Sequence, residues 1–124
     1  MRKSISTAVA TSAAVTAIVP TAPAASAEPN PPGCEKGYFC VYDYYPGGPL
    51  LLKTAGNWSG SVGGAQYLFN NGYYSPGSDH VDVTWILSST GATHTMCLHN
   101  NPGPGYYSST MHGTVINVRW RGEC

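Results

Sequence analysis

The chain has 124 residues, with six basic and six acidic side chains, 15 glycines, 10 prolines and four cysteines. That length supports one modest domain, and the absence of any Lys/Arg cluster argues against nucleic-acid binding. High glycine plus proline would suit a disordered chain, but 14 aromatic residues and the four cysteines point to a braced, folded core.

Arg2 and Lys3 precede an uncharged Ala/Val/Thr-rich stretch, Ile5 to Val19, and Ala25-Ser26-Ala27 has the small-x-small form of a signal-peptidase site. Residues 1–27 therefore read as a secretory signal peptide. As a membrane anchor the apolar run is too short and too rich in Thr and Ser, and Pro20 and Pro23 follow it at once. A secreted, extracellular protein is expected, with a mature chain of 97 residues from Glu28 to Cys124. No second apolar segment could enter a membrane.

Residues 28–33 (EPNPPG) read as a flexible proline-rich tail, and residues 34–124 as a single β-sandwich domain. Gly and Pro interrupt the chain every few residues, and no segment carries a capped helical stripe. The strand candidates in order are Tyr38–Tyr42, Leu50–Lys53, Gln66–Phe69, a strand within Ser78 to Thr90, Thr93–His99 and Val115–Arg121. In the fourth, Val81, Val83 and Trp85 alternate with Asp82, Thr84 and Ile86, which gives one apolar face. The separators are Pro46-Gly47-Gly48, Gly63-Gly64, Asn70-Asn71-Gly72, Pro76-Gly77 and Asn100-Asn101-Pro102-Gly103, with Asn71-Gly72 reading as a type I′ hairpin turn. Short strands at this spacing predict an all-β sandwich.

Four cysteines in an exported chain of this size read as two disulfides. They allow three pairings, of which Cys34–Cys40 with Cys97–Cys124 is favoured. Loop closure alone would give these about 2.4 and about 3.6 kcal/mol. A Cys/His zinc site needs closely spaced ligand pairs such as C-x-x-C, which the chain lacks.

A faint internal repeat joins the two cysteine regions. Cys40-Val41-Tyr42-Asp43 runs to Gly48 as Cys97-Leu98-His99-Asn100 runs to Gly105, eight residues from Cys to Gly in each and 57 residues apart. Two similar halves are implied.

The stretch Cys34-Glu35-Lys36-Gly37-Tyr38-Phe39-Cys40-Val41-Tyr42-Asp43 with Gly47-Gly48 resembles the actinobacterial secreted peptidase inhibitors typified by the Streptomyces metalloproteinase inhibitor. Looser echoes are Cys97-Leu98-His99 and the terminal Arg119 to Cys124. The resemblance implies a βγ-crystallin-like double Greek key, local closure of the opening cysteine pair, and inhibition of an extracellular peptidase. Tyr42 precedes Gly48 by six residues where the crystallin signature has seven, and Pro46 stands where it has a second aromatic. Asn100-Asn101 is followed by Pro102-Gly103-Pro104-Gly105 in place of the serines of a crystallin calcium site, so no calcium is expected.

No catalytic set emerges. There is no G-x-S-x-G, and six scattered acids give no glycosidase pair. His80 and Asp82 share one strand face, His94 and His99 lie near the second cysteine unit, and His112 falls in a loop. His80, Asp82 and a distant histidine are the only residues that could suggest a metal, and hydrogen-bonded surface histidines explain them as well. No enzyme activity, cofactor or metal is expected. The aromatic doublets Tyr44-Tyr45, Tyr73-Tyr74 and Tyr106-Tyr107 flank turns. Alternation in a strand should expose one ring of each, and Trp58 is a further exposed ring. Rigid amphipathic tyrosines suit contact with protein or sugar. The expected function is therefore peptidase binding, with recognition of a cell-envelope glycan or a partner protein as the alternative.

Overall fold

A computed structural model describes residues 9–18, 30–44, 48–100 and 108–124. Residues 9–18 are exposed and carry no regular secondary structure. The rest is all-β: β1 (Tyr38–Tyr42), β2 (Leu50–Thr54), β3 (Trp58–Asn71), β4 (His80–Leu87), β5 (Thr93–Leu98) and β6 (Ser108–Arg121). They form one antiparallel sheet in the order β2-β1-β3-β6-β4-β5.

This order has an internal symmetry. In each half the first strand (β1 or β4) is flanked by the second (β2 or β5) and the third (β3 or β6). The two third strands, 14 residues each, pair in the middle. The halves match the two-part reading of the sequence, but the cysteine register does not. Cys40 lies on β1, the first strand of its half, whereas Cys97 lies on β5, the second strand of the other.

Both central strands are longer than the sequence suggests. Gly63 and Gly64 do not separate strands; they lie inside β3, where the pairing with β6 shifts between Ser59 and Val62, between Val62 and Ala65, and between Ala65 and Tyr67. Such bulges bend a strand and increase its twist, so the sheet curls and buries one face against itself. That face collects Phe39 and Val41 from β1, Leu68 from β3, Val81 and Val83 from β4, Leu98 from β5, and Val115 and Val118 from β6. Phe39 therefore shares a core with Val81 although two strands separate β1 from β4 in the sheet. Gly113 lies at the tightest crossing: a Cβ there would collide with the Ile86 carbonyl of β4. His112 beside it is exposed on β6, not in a loop.

The opposite face of the first half has its own cover. Cys40 and Tyr42 of β1 and Tyr67 and Phe69 of β3 pack with Cys34. Residues 30–33 do not hang free as the proline content suggests. Pro31 is buried, the Tyr42 hydroxyl donates to the Pro32 carbonyl at 2.7 Å, and the Asn71 amide donates to Asn30 Oδ1 at 2.7 Å and to the Cys34 carbonyl at 2.9 Å. The Cys34–Cys40 disulfide closes this layer, and Cys97–Cys124 ties β5 to the C-terminus, which is the favoured pairing. Two intramolecular disulfides accord with an oxidising environment.

Asn71-Gly72 does not form a hairpin. β3 ends at Asn71, β4 starts at His80, and the two strands are separated by β6. The asparagines are buried connectors instead. Asn70 donates to the carbonyls of Asp79 and Leu98 and accepts from Gly72 N–H, so its amide joins the two halves where neither strand ladder reaches.

Candidate functional site

Two regions combine exposed side chains with rigid support. The first is the loop from Gly72 to Ser78. Its entry is fixed by the Gly72 N–H to Asn70 Oδ1 bond at 3.0 Å, and its exit by Ser75 N–H to Asp79 Oδ2 at 3.0 Å. Inside it, Ser78 N–H donates to the Ser75 carbonyl and the two serine hydroxyls lie 3.1 Å apart. Asn70 and Asp79 are 0% and 1% exposed, so both anchors sit in the protein interior. Tyr73 and Tyr74 project from this frame at 66% and 72% exposure. They lie outside any strand, which is why both rings are free and not the one that alternation would expose. The Tyr73 ring passes so close to Gly37 that a Cβ there would stand 2.7 Å from it. A cleft of about 600 Å³ opens beside it, lined by Tyr73, Trp120, Asn57, Ser75 and Ser78 among others.

The other aromatic candidates scatter. Tyr44 is exposed, at the far end of β1. Trp58 is not the free ring the sequence suggests: it is half-buried against the main core, because it starts β3 opposite Val118. Tyr45, Tyr106 and Tyr107 lie outside the described residues. Trp120 and Asn57, which the sequence did not single out, meet at the cleft, where Asn57 Oδ1 accepts the Trp120 backbone N–H at 2.8 Å.

The second region is the outer face of β4, β5 and the C-terminus. Register makes it. Val81 pairs with Leu98 and with Trp120, so His80 at the start of β4 stands beside His99 after β5 and Arg121 at the end of β6. His80 Nδ1 lies 2.6 Å from Asp79 Oδ1, and His80 Nε2 lies 2.7 Å from His99 Nδ1 and 3.4 Å from Glu123 Oε2. A carboxylate can only accept, so the Nδ1 proton of His80 points at Asp79, and the contact between His80 Nε2 and His99 Nδ1 holds one proton between the two rings. His80 is 2% exposed. Asp82, which the sequence placed on the same face, turns to Arg121 at 3.2 Å instead. His94 stacks on Trp85, away from this group. No serine or cysteine nucleophile is within reach of the His80–His99 pair in any described contact, and Cys124 is engaged in its disulfide. Sequence spacing could not find this cluster: Asp79, His99 and Glu123 are brought together by strand register and the terminal disulfide. Comparison with known protein families, curated proteins and solved structures yields no match.

Proposed function

We propose that this is a secreted, non-enzymatic binding protein that occludes an extracellular peptidase with the Gly72–Ser78 loop. The observation that carries the reading is the loop's construction. Two exposed tyrosines sit on a short segment whose ends are tied to buried Asn70 and Asp79. A loop held in this way loses little conformational entropy on binding, so more of its contact energy appears as affinity. Tyrosine supplies large, rigid contact area at low entropic cost. The likeness of Cys34 to Gly48 to the Streptomyces metalloproteinase-inhibitor family supports the same reading. On it, the two three-stranded halves correspond to the two Greek keys of a crystallin-like fold, and residues 1–27 are a signal peptide.

The cleft between Tyr73 and Trp120 favours a second reading. Aromatic faces beside the amide of Asn57 and the hydroxyls of Ser75 and Ser78 suit an envelope glycan. The test is a panel of secreted metallo- and serine proteinases assayed with micromolar protein. Slowing of one of them, weakened by Tyr73→Ala or Tyr74→Ala with thermal stability unchanged, supports peptidase binding. No slowing anywhere in the panel, with retention on insoluble cell-wall polymer, turns the assignment to glycan recognition.

A further inference from the structure

We propose that the Cys97–Cys124 disulfide is a thiol-exchange site, opened by a small carboxylate-bearing thiol with His80 and His99 assisting the departing sulfur. This goes beyond the binding role of the Gly72–Ser78 loop and uses none of its tyrosines.

The two disulfides differ in access. Cys34 and Cys40 are 1% and 0% exposed inside the second cluster, whereas Cys97 is half-buried and Cys124 is exposed. Cys97 lies on β5, an edge strand paired only with β4 among the described residues, and stands opposite Asp82. Cys124 lies beyond the end of β6 and outside any strand ladder. Exposed disulfides of secreted proteins are the labile ones, and thiol exchange depends on access to sulfur.

The surroundings of Cys124 suit a leaving group. Its Sγ and one ring nitrogen each of His80 and His99 all lie within 4.8 Å of one another. The two rings hold one proton between them at 2.7 Å, and Asp79 Oδ1 accepts the other His80 N–H at 2.6 Å. A thiolate attacks Cys97 Sγ and forms a mixed disulfide. The Cys97–Cys124 bond breaks, and its electron pair leaves on Cys124, which takes the shared proton; solvent returns a proton to the histidine pair. A second thiolate attacks the outer sulfur of the mixed disulfide, forms the small-molecule disulfide and releases Cys97 as thiolate. Two external thiols are oxidised and one protein disulfide is reduced. A better-stabilised sulfur leaves faster, which directs attack to Cys97 and departure to Cys124.

A cleft of about 520 Å³ borders both cysteines. It is lined by Asp82, Arg119, Arg121, Gly122 and Glu123, of which Asp82 is the register partner of Cys97 and Glu123 the chain neighbour of Cys124. Arg121 is engaged by Asp82 and by the Gly122 and Glu123 carbonyls. Arg119 is exposed and has no hydrogen bond or ion pair among the described residues, so its guanidinium is available to a carboxylate on the incoming thiol.

The experiment exposes the oxidised, folded protein to millimolar reduced glutathione, quenches with N-ethylmaleimide and maps the products by mass spectrometry. Cys97–Cys124 should open while Cys34–Cys40 stays intact and the near-ultraviolet circular dichroism is retained. The trapped glutathione should sit on Cys97, with Cys124 alkylated. His99→Ala should slow opening about tenfold or more at unchanged urea midpoint. Glutathione diethyl ester, which carries the same thiol without the carboxylates, should react more slowly than glutathione, and Arg119→Ala should abolish that difference. The proposal is overturned if both disulfides open together only on global unfolding, if glutathione is trapped on Cys124 in the wild-type protein, if His99→Ala leaves the rate unchanged, if glutathione has no advantage over its ester, or if only a C-x-x-C dithiol protein opens the bond.

Discussion

The two halves of the sheet share a strand plan and differ in what covers them. The β1–β3 half is packed on both faces. Phe39 and Val41 enter the main core while Cys40, Tyr42, Tyr67 and Phe69 form a second cluster beneath Cys34 and residues 30–33. The β4–β6 half is packed on one face only. Val81, Val83 and Val118 face inward, and the outer face carries His80, Asp82, Cys97, His99 and Arg121. The difference teaches where each kind of work can be done. A half covered twice is a brace, its asparagines buried and tied to backbone carbonyls. A half covered once leaves a row of polar side chains whose spacing is fixed by strand register, with Arg121 exposed, Asp82 and His99 half-buried and His80 buried among them.

The sharpest way to break this contrast is to remove each disulfide. Loop length alone ranks Cys97–Cys124 above Cys34–Cys40, at about 3.6 against about 2.4 kcal/mol. Packing should reverse the order, because Cys34 and Cys40 are 1% and 0% exposed whereas Cys124 is exposed. Replacing Cys34 and Cys40 by serine adds two buried hydroxyls, each costing about 1–3 kcal/mol when unpaired. The Cys34→Ser/Cys40→Ser protein should thus lose about 4–8 kcal/mol in urea unfolding and the Cys97→Ser/Cys124→Ser protein about 3–4 kcal/mol. The opposite ranking would mean that the second cluster contributes little.

Tyr42 tests the same cluster one side chain at a time. Its ring is fully buried, 6.1 Å from the Tyr67 ring, and its hydroxyl bonds to Pro32. Tyr42→Ala should cost about 3–5 kcal/mol, and Tyr42→Phe about 1 kcal/mol for the lost hydrogen bond. Burial, with smaller contributions from Tyr67 and Glu35, pushes the Tyr42 hydroxyl up to about 12. The folded state therefore holds the neutral form that the unfolded chain gives up near pH 10. The stability tied to this group is intact below about pH 10 and is lost as pH rises toward 12. Tyr42→Phe should flatten the alkaline fall in stability, measured by urea midpoints between those limits.

Asn70 sits on the seam between the halves and should show an intermediate effect. Asn70→Ala leaves the Asp79 and Leu98 carbonyls without the amide that now serves both. A loss of about 2–3 kcal/mol is expected. It should be accompanied by faster amide exchange at Gly72 and Ser75, because the tyrosine-bearing loop loses its entry anchor.

The smallest effect belongs to the exposed rim. Lys53 Nζ lies 2.7 Å from both Glu35 carboxylate oxygens and 4.6 Å from the centre of the Tyr38 ring. The Lys53 hydrogen bond, chiefly, holds the Glu35 carboxyl below the usual glutamate value. A lowered folded value stabilises above the unfolded titration and is lost as pH falls through the folded one. Lys53→Met should move the Glu35 titration, followed by carboxyl carbon shifts, back up to the ordinary glutamate range. Solvent screening keeps the accompanying change in stability at neutral pH close to the error of measurement.

How much of this was legible beforehand depends on the range of the interaction. β1 was readable to the residue, because its alternation and the Pro-Gly-Gly turn beyond it are local. The same rule misread β3 as Gln66–Phe69, since glycines that act as bulges look like breaks until a partner strand is in place. Trp58 looked exposed among Gly and Ser for the same reason; its cover comes from β6. The histidine cluster illustrates the limit most plainly. The sequence pairs His80 with Asp82 on one strand face, whereas His80 bonds to its chain neighbour Asp79 and Asp82 turns to Arg121. His99 is 19 residues from His80 and joins it only because β4 and β5 pair as Val81 with Leu98.

The sequence by itself determined the all-β character, the existence and order of the six strands, and the bounds of β1. These follow from side-chain alternation, turn chemistry and cysteine number, all of which act over a few residues. Tertiary structure alone decided that the sheet curls, that residues 30–33 cover its second face, that Asn70 and Asn71 are buried connectors, and that Asp79, His80, His99 and Glu123 converge. Those outcomes depend on which strands become neighbours and in what register, and a one-residue slip would turn every one of these side chains to the other face.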